Sequence, residues 1–345
     1  MNYLLTLFFP LLAIVIGGAN SKATNDATYL FSKDYTTILK GVCCIIVVMV
    51  HIPYDYQNPV QDAIGSFAYV CVTIFFMVSA YGMQLGVDRK SDYLKNFWRK
   101  RLVALLIPCF LVNIGIFLLA MILKKKNPTL DVLWHINSYV IILLQYCLWC
   151  FIVTYTAKIL KVQKYWIIDG ALVLGVVASS LFSYFTTKEH AVSAQMGWCY
   201  ERYGLIWGIL MYRMLPQIKH WLQNKKNMKI IFFFFFSLFL GVAYLKYKYI
   251  FFYGEYILKI ILGIVLIILL LLLTVKRNFG DKLSIYLGKI SYEVYLSHGG
   301  IMGLITFCTP KISSGIFIVL TYMVTLLFSA FIHVISERLV RICRK

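Results

Sequence analysis

Long apolar runs separated by short polar, mostly basic stretches set the pattern of this chain. A helix needs about 20 apolar residues to cross ~30 Å of hydrocarbon. Runs of about that length lie near 3–19, 38–53, 64–86, 102–123, 137–158, 165–185, 199–215, 229–247, 256–275, 286–307 and 315–337. The pattern predicts about eleven helices. The first run is short, ends in Gly17-Gly18, and starts Met1-Asn2-Tyr3 without the basic region of a signal peptide. It reads as a retained helix whose depth the sequence leaves open. No repeat of 20–50 residues is visible, and no pair of Gly/Pro-broken helices occupies matching halves. The run Phe232 to Phe236 reads as lipid-facing bulk.

The expected fold is all-α, a polytopic integral membrane bundle of about ten to eleven transmembrane helices. One domain covers residues 1–345, with 1–35 as an extra apolar segment and linker and 36–340 as the core. Composition agrees: 61% of residues are hydrophobic and 14% charged, with a mean hydropathy of +0.78. That excludes an ordinary soluble domain. The net charge of +20 would suggest nucleic acid in a soluble chain. Here it sorts by side instead. Alternating the spans places 25 of the 34 Lys and Arg residues on one face, the cytosolic one by the positive-inside rule. The sequence therefore predicts a multi-pass protein of the cell (cytoplasmic) membrane with a cytosolic C-terminus and no nucleic-acid partner. Lys124, Lys125 and Lys126 are the main exception, on the outer side. The nine cysteines lie mostly in apolar runs, where a thiol acts as a small hydrophobe. No disulfide framework or metal site is expected from them.

Ionisable side chains inside spans are costly and mark functional candidates. In LKGVCCIIVVMVHIP, Lys40 and His51 lie eleven residues apart. At about 100° and 1.5 Å per residue they return to one helix face, ~16 Å apart along the axis. A snorkelling lysine and an interfacial histidine are the plain alternative. In LGKISYEVYLSHGG, Ser291, Tyr295 and His298 follow i, i+4, i+7 spacing and share a face. His298 should reach a depth comparable to His51, so the two imply a polar cavity. Helix-packing glue is the alternative for Ser291 and Tyr295. Glu293 falls on another face, toward a neighbouring helix. A third segment ends in Trp98-Arg99-Lys100-Arg101. It fits either positive-inside topology or a ligand with several phosphates and an adenine ring.

These segments, in this order, resemble the membrane-bound acyltransferase-3 family, whose members acylate sugars of cell-surface glycans. The family's Arg/Lys, ten residues, His motif is similar to Lys40 through His51. Its FFxxSG stretch resembles Phe75-Phe76-Met77-Val78-Ser79-Ala80-Tyr81. Its aromatic, RxxR and Pro motif is similar to Phe97 through Arg101 and Pro108. Its GxxSYxxYLxH motif matches Gly288, Ser291, Tyr292, Tyr295, Leu296 and His298. Ala80 replaces a family glycine, and Ala104 stands where the second Arg of RxxR is usual, which shifts weight onto Arg101, with Arg99 or Lys100.

The resemblance implies O-acylation of a glycan, cell-surface or lipid-linked, with acyl-CoA, most often acetyl-CoA, as cytosolic co-substrate and no permanently bound cofactor. It implies catalytic roles for His51, Lys40 and His298, and contacts to the acyl-CoA from Arg101, Arg99, Lys100 and Trp98. Ser79, Tyr81, Ser291, Tyr292 and Tyr295 support them. His51 would act as general base on a sugar hydroxyl or carry the acyl group as a nucleophile. Some relatives carry an extracytoplasmic hydrolase-like domain after the last span. Its lack here leaves transfer to the membrane domain itself or to a separate partner protein. The competing expectation is a transporter or flippase for a lipid-linked glycan, using the same polar stripe as a path.

Overall fold

The computed structural model describes residues 2–89, 93–123, 130–186 and 198–344. The chain folds into helices α1 (Asn2–Gly17), α2 (Lys33–Val50), α3 (Pro59–Gly65), α4 (Tyr69–Arg89), α5 (Phe97–Ile122), α6 (Asp131–Trp134) and α7 (Ser138–Ile159). They are followed by α8 (Tyr165–Thr186), α9 (Tyr203–Arg213), α10 (Leu215–Gln223), α11 (Lys226–Tyr247), α12 (Leu258–Thr274), α13 (Lys282–Cys308) and α14 (Ser314–Arg344). A two-residue antiparallel pairing of β1 (Lys22–Ala23) with β2 (Arg277–Asn278) ties the linker after α1 to the α12–α13 turn. The result is an all-α polytopic membrane bundle. Among the described residues, seven helices are long and apolar enough to cross a membrane. The expected basic exception at Lys124, Lys125 and Lys126 lies outside the described residues, as do Lys90 and Lys345 of the basic set.

One expected span is corrected. The run 199–215 is long enough in sequence to predict a crossing, yet its helix, α9, has 11 residues and a rise of only ~16 Å. Glu201 and Arg202, 4% and 8% exposed, precede it, and Met214 and Pro216 follow. Such a short helix is held by the bundle, chiefly against α4. Its Gly204-x-x-x-Gly208 spacing permits this approach. A Cβ at Gly204 would collide with the Thr73 carbonyl, and one at Gly208 with the Met77 carbonyl and the Ala80 side chain. Ala80, fully buried, is thus a small residue at a crossing that leaves little room.

The centre of the bundle is the contact of α2 with α13. Each starts at a defined cap. The Ser32 side chain accepts from Tyr35 N, and Asp281 and Ser284 form a reciprocal capping box at α13. The two backbones then approach at glycines: a Cβ on Gly41 would lie 2.8 Å from Gly288 N, and one on Gly288 would strike Thr37. Around this pair α14 packs on α13 and α5, and α1 packs on α2, with Phe9 stacked on Tyr322 at 4.1 Å. The polar helices α2 and α13 are thereby shielded from lipid, where Lys40, Glu293 and His298 would be costly. The run Phe232 to Phe236 is lipid-facing only in part: Phe232, Phe234 and Phe235 of α11 point outward, at 59%, 48% and 64% exposure, while Phe233 and Phe236 turn inward and pack against the core, because a helix sends a continuous run to every face.

Candidate active site

The last turn of α2 delivers His51, which caps the helix. Its Nδ1 lies 2.8 Å from the Val47 carbonyl. A carbonyl only accepts, so Nδ1 carries the hydrogen and Nε2 keeps its lone pair. His298, seven residues after Ser291 on α13, repeats the device: its Nδ1 sits 3.3 Å from the Val294 carbonyl. The two rings meet edge to face, with centroids 4.7 Å apart at 70°. His298 is buried and His51 is exposed. The comparable depth expected from sequence is therefore realised as a direct contact.

Behind His298 an aromatic seam continues into the bundle. Tyr295 lies 5.8 Å from His298, 5.1 Å from Tyr139 and 5.9 Å from Phe75, centroid to centroid. Ser79 adjoins the Tyr139 hydroxyl, which places the small pair Ser79-Ala80 of α4 beside the seam. Lys40 lies eleven residues before His51 on the unbroken α2, ~16 Å away by helix rise. It is half-buried, and the carboxylate it senses is Glu293. Glu293, 3% exposed, accepts from Ser336 at 2.8 Å and from His333 Nδ1 at 3.0 Å, both on α14. The neighbouring-helix expectation for Glu293 is met.

Other motif residues hold the frame. The Ser291 hydroxyl donates to the Gly288 carbonyl at 2.8 Å, and the Ser291 carbonyl accepts from the Cys44 thiol at 3.1 Å. Tyr292 donates to the Leu105 carbonyl of α5 at 2.9 Å. Tyr81 lies away from the histidines, 4.9 Å from Phe31 and 5.8 Å from Tyr212. The structure therefore gathers His51, His298, Tyr295 and Ser79 on one seam, and gives Ser291, Tyr292 and Tyr81 packing contacts.

The basic cluster divides because consecutive helical residues point ~100° apart. Arg101 turns inward: it donates to the Tyr93 hydroxyl at 2.6 Å and lies over the Phe97 ring at 5.8 Å. Arg99 donates to the Arg344 carbonyl at 2.5 Å, closing the end of α14. Lys100 is exposed. Trp98 packs on Phe97 and Phe151 at 5.4 and 5.7 Å, so its ring already has partners.

At the opposite end of α2, His51 lines a cavity of about 300 Å³. Its walls come from the end of α2, the α2–α3 connection, α3, the start of α4, the turn before α9, the end of α11 with the residues just after it, and the start of α12. They carry Gln61, Asp62, Trp198, Glu201, Lys248 and Lys259, among others. Lys259 donates to the Tyr200 hydroxyl at 2.7 Å and sits 4.1 Å from that ring's centroid. The sequence pattern singles out none of these wall residues, although Glu201 falls inside the apolar run 199–215 and Lys259 inside the run 256–275. The available signal is an ionisable residue inside each of these runs. Among the described residues no three His, Cys, Asp or Glu side chains converge as a metal site.

Two histidines with free Nε2 atoms thus lie between a polar cavity and an aromatic seam, with bases at the far end of the same helix. No curated protein and no solved structure matches the chain. Residues 34–334 match the acyltransferase domain profile, the acyltransferase-3 family, and the chain, a membrane acyltransferase, belongs to that family.

Proposed function

We propose that the chain transfers an acyl group, acetyl, from acyl-CoA to a hydroxyl of a cell-surface or lipid-linked glycan. The donor approaches from the cytosol at the Lys40 end, and the acceptor occupies the cavity at the His51 end. One observation carries this reading: the contact of His51 and His298 lies at the wall of a polar cavity, while Arg101 and Lys40 sit at the other end of the helix pair. Arg101 and Lys40 supply the charge for phosphates, with Lys100 and Arg99 outside them. Ser79, Tyr139 and Tyr295 lie behind the histidines as a packed seam, which an acyl-pantetheine arm would have to part to reach His51.

Two courses use the same atom. In the direct one, His51 Nε2 takes the sugar hydroxyl proton as the oxygen attacks the thioester carbonyl. The C–S bond breaks, the C–O ester bond forms, and the thiolate leaves and collects the proton as CoA thiol. In the stepwise course Nε2 itself accepts the acyl group, releasing CoA, and then yields it to the hydroxyl. An imidazole whose Nδ1 carries the hydrogen and whose Nε2 keeps its lone pair suits either. The cytosolic C-terminus follows from the same orientation, since Arg338, Arg341 and Arg344 lie at the Lys40 end.

The test is purified protein in lipid nanodiscs with radiolabelled acetyl-CoA and glycoside acceptors. Label should appear as a hydroxylamine-sensitive ester on the glycoside. A transient acyl-protein on wild type and none on His51→Ala selects the stepwise course. Wild-type turnover by His51→Ala contradicts the assignment.

A further inference from the structure

The cavity beside His51 has a chemistry of its own. Gln61 and Glu201 both line it, and they are 1% and 4% exposed. Gln61 Nε2 donates to the Met49 carbonyl at 2.8 Å, which fixes the amide so that Oε1 is the remaining acceptor. Among the described residues, neither Gln61 Oε1 nor Glu201 Oε2 has a hydrogen-bond donor. An unmet buried acceptor is costly, and two on one cavity wall call for a ligand rich in donors. Two ammonium groups also line the cavity, Lys259, bonded to the Tyr200 hydroxyl and set among the rings of Tyr200, Tyr69 and Tyr244 at 4.1, 5.6 and 5.7 Å, and Lys248, 5.3 Å from the Tyr249 ring; among the described residues neither donates to these two oxygens.

We infer that this cavity is the acceptor subsite, that it takes an uncharged sugar ring bearing free hydroxyls, and that Glu201 sets this specificity. The inference rests on the glycan reading above and names the substrate class it leaves open. Hydroxyl groups donate; a carboxylate only accepts. A ring hydroxyl on Glu201 Oε2 and another on Gln61 Oε1 satisfy both atoms. A uronate carboxylate in the same place would bring a third acceptor to Glu201 Oε2 and Gln61 Oε1 and find no hydrogen there to accept. Charge is balanced around the cavity, with Asp62 and Glu201 against Lys248 and Lys259, so no net field draws in an anion. Trp198 is held at φ +54°, a conformation bulky residues rarely adopt, and its indole at the cavity offers a flat apolar face to the C–H side of a ring.

The experiment uses the full chain in nanodiscs, radiolabelled acetyl-CoA, and the 4-nitrophenyl β-glycosides of glucose, galactose, N-acetylglucosamine and glucuronic acid. Wild type should acylate at least one neutral glycoside at least tenfold more efficiently than the glucuronide. Glu201→Gln should raise KM for that glycoside about tenfold, the size of one hydrogen bond to a charged group. Its kcat should stay within about twofold, and its discrimination against the glucuronide should collapse. Gln61→Leu should raise KM several-fold for neutral and acidic glycosides alike, leaving discrimination intact. Acetyl-CoA affinity within twofold of wild type certifies each fold, and Glu201→Asp replaces Glu201→Gln if that variant fails this check. An active wild type with unchanged KM and discrimination in both variants overturns the subsite and leaves the glycan reading standing. A wild type that acylates none of the four glycosides overturns the glycan reading, and the subsite with it.

Discussion

The two ends of α2 carry charge in opposite ways. At the Lys40 end bases dominate, and several are tied to protein partners. Arg213 meets Asp88 at 2.6 Å and Asp169 at 2.8 Å, Arg99 holds the Arg344 carbonyl, and Arg101 holds the Tyr93 hydroxyl. At the His51 end the signs balance around a cavity, and two buried acceptors stay unmet among the described residues. The difference teaches that charge abundance and ligand specificity are separate properties. Excess positive charge orients the chain and offers phosphates a landing place. Unmet acceptors on a cavity wall select a neutral, donor-rich partner.

The comparison breaks most sharply at His51. His51→Ala should cut acyl transfer about 10³-fold, the span of general-base catalysis, with acetyl-CoA binding intact. Initial-rate assays beside calorimetric acetyl-CoA titration check both halves. Next in size is the seam joining the two ends. Gly288→Val should cost about 1–3 kcal/mol by overpacking against Thr37, visible as a lower melting temperature in detergent. Equal melting would show that α2 and α13 can move apart freely.

At the basic end, Arg101→Ala should raise KM for acetyl-CoA about tenfold, as loss of one charged contact does. That penalty should be largest at low salt and shrink as salt rises, because screening weakens the wild-type contact. A salt-independent penalty would assign Arg101 to packing through Tyr93 and Phe97. The smallest effect belongs to Glu337→Gln. Its i,i+4 pair with Arg341 is 2.7 Å long but exposed, at 52% and 73%, so stability should change by less than ~0.5 kcal/mol and activity not at all.

Much of this architecture is legible in the apolar runs, because helix length in a membrane is set by the hydrocarbon. The run at 199–215 misleads because apolarity also marks a short helix buried by protein, and only the Gly204-x-x-x-Gly208 spacing hints at that. The meeting of His51 and His298 could be anticipated, since each sits at the same depth on a polar-striped helix. The splitting of Arg99, Lys100 and Arg101 could not, because their directions depend on the start of α5 and on where α14 ends. Glu201 and Lys259 are 58 residues apart in sequence, one in the turn before α9 and the other in the first turn of α12. Nothing local in either segment announces a shared wall.

The central claim is that donor and acceptor meet from opposite ends of α2. The direct measurement is transfer in sealed liposomes holding the protein in one known orientation, with radiolabelled acetyl-CoA on one side and a membrane-impermeant neutral glycoside on the other. Ester should form when acetyl-CoA faces the Lys40 end and the glycoside faces the His51 end, and should be absent when the two are exchanged. Equal ester in both arrangements, or ester only when both are on the same side, would contradict the account.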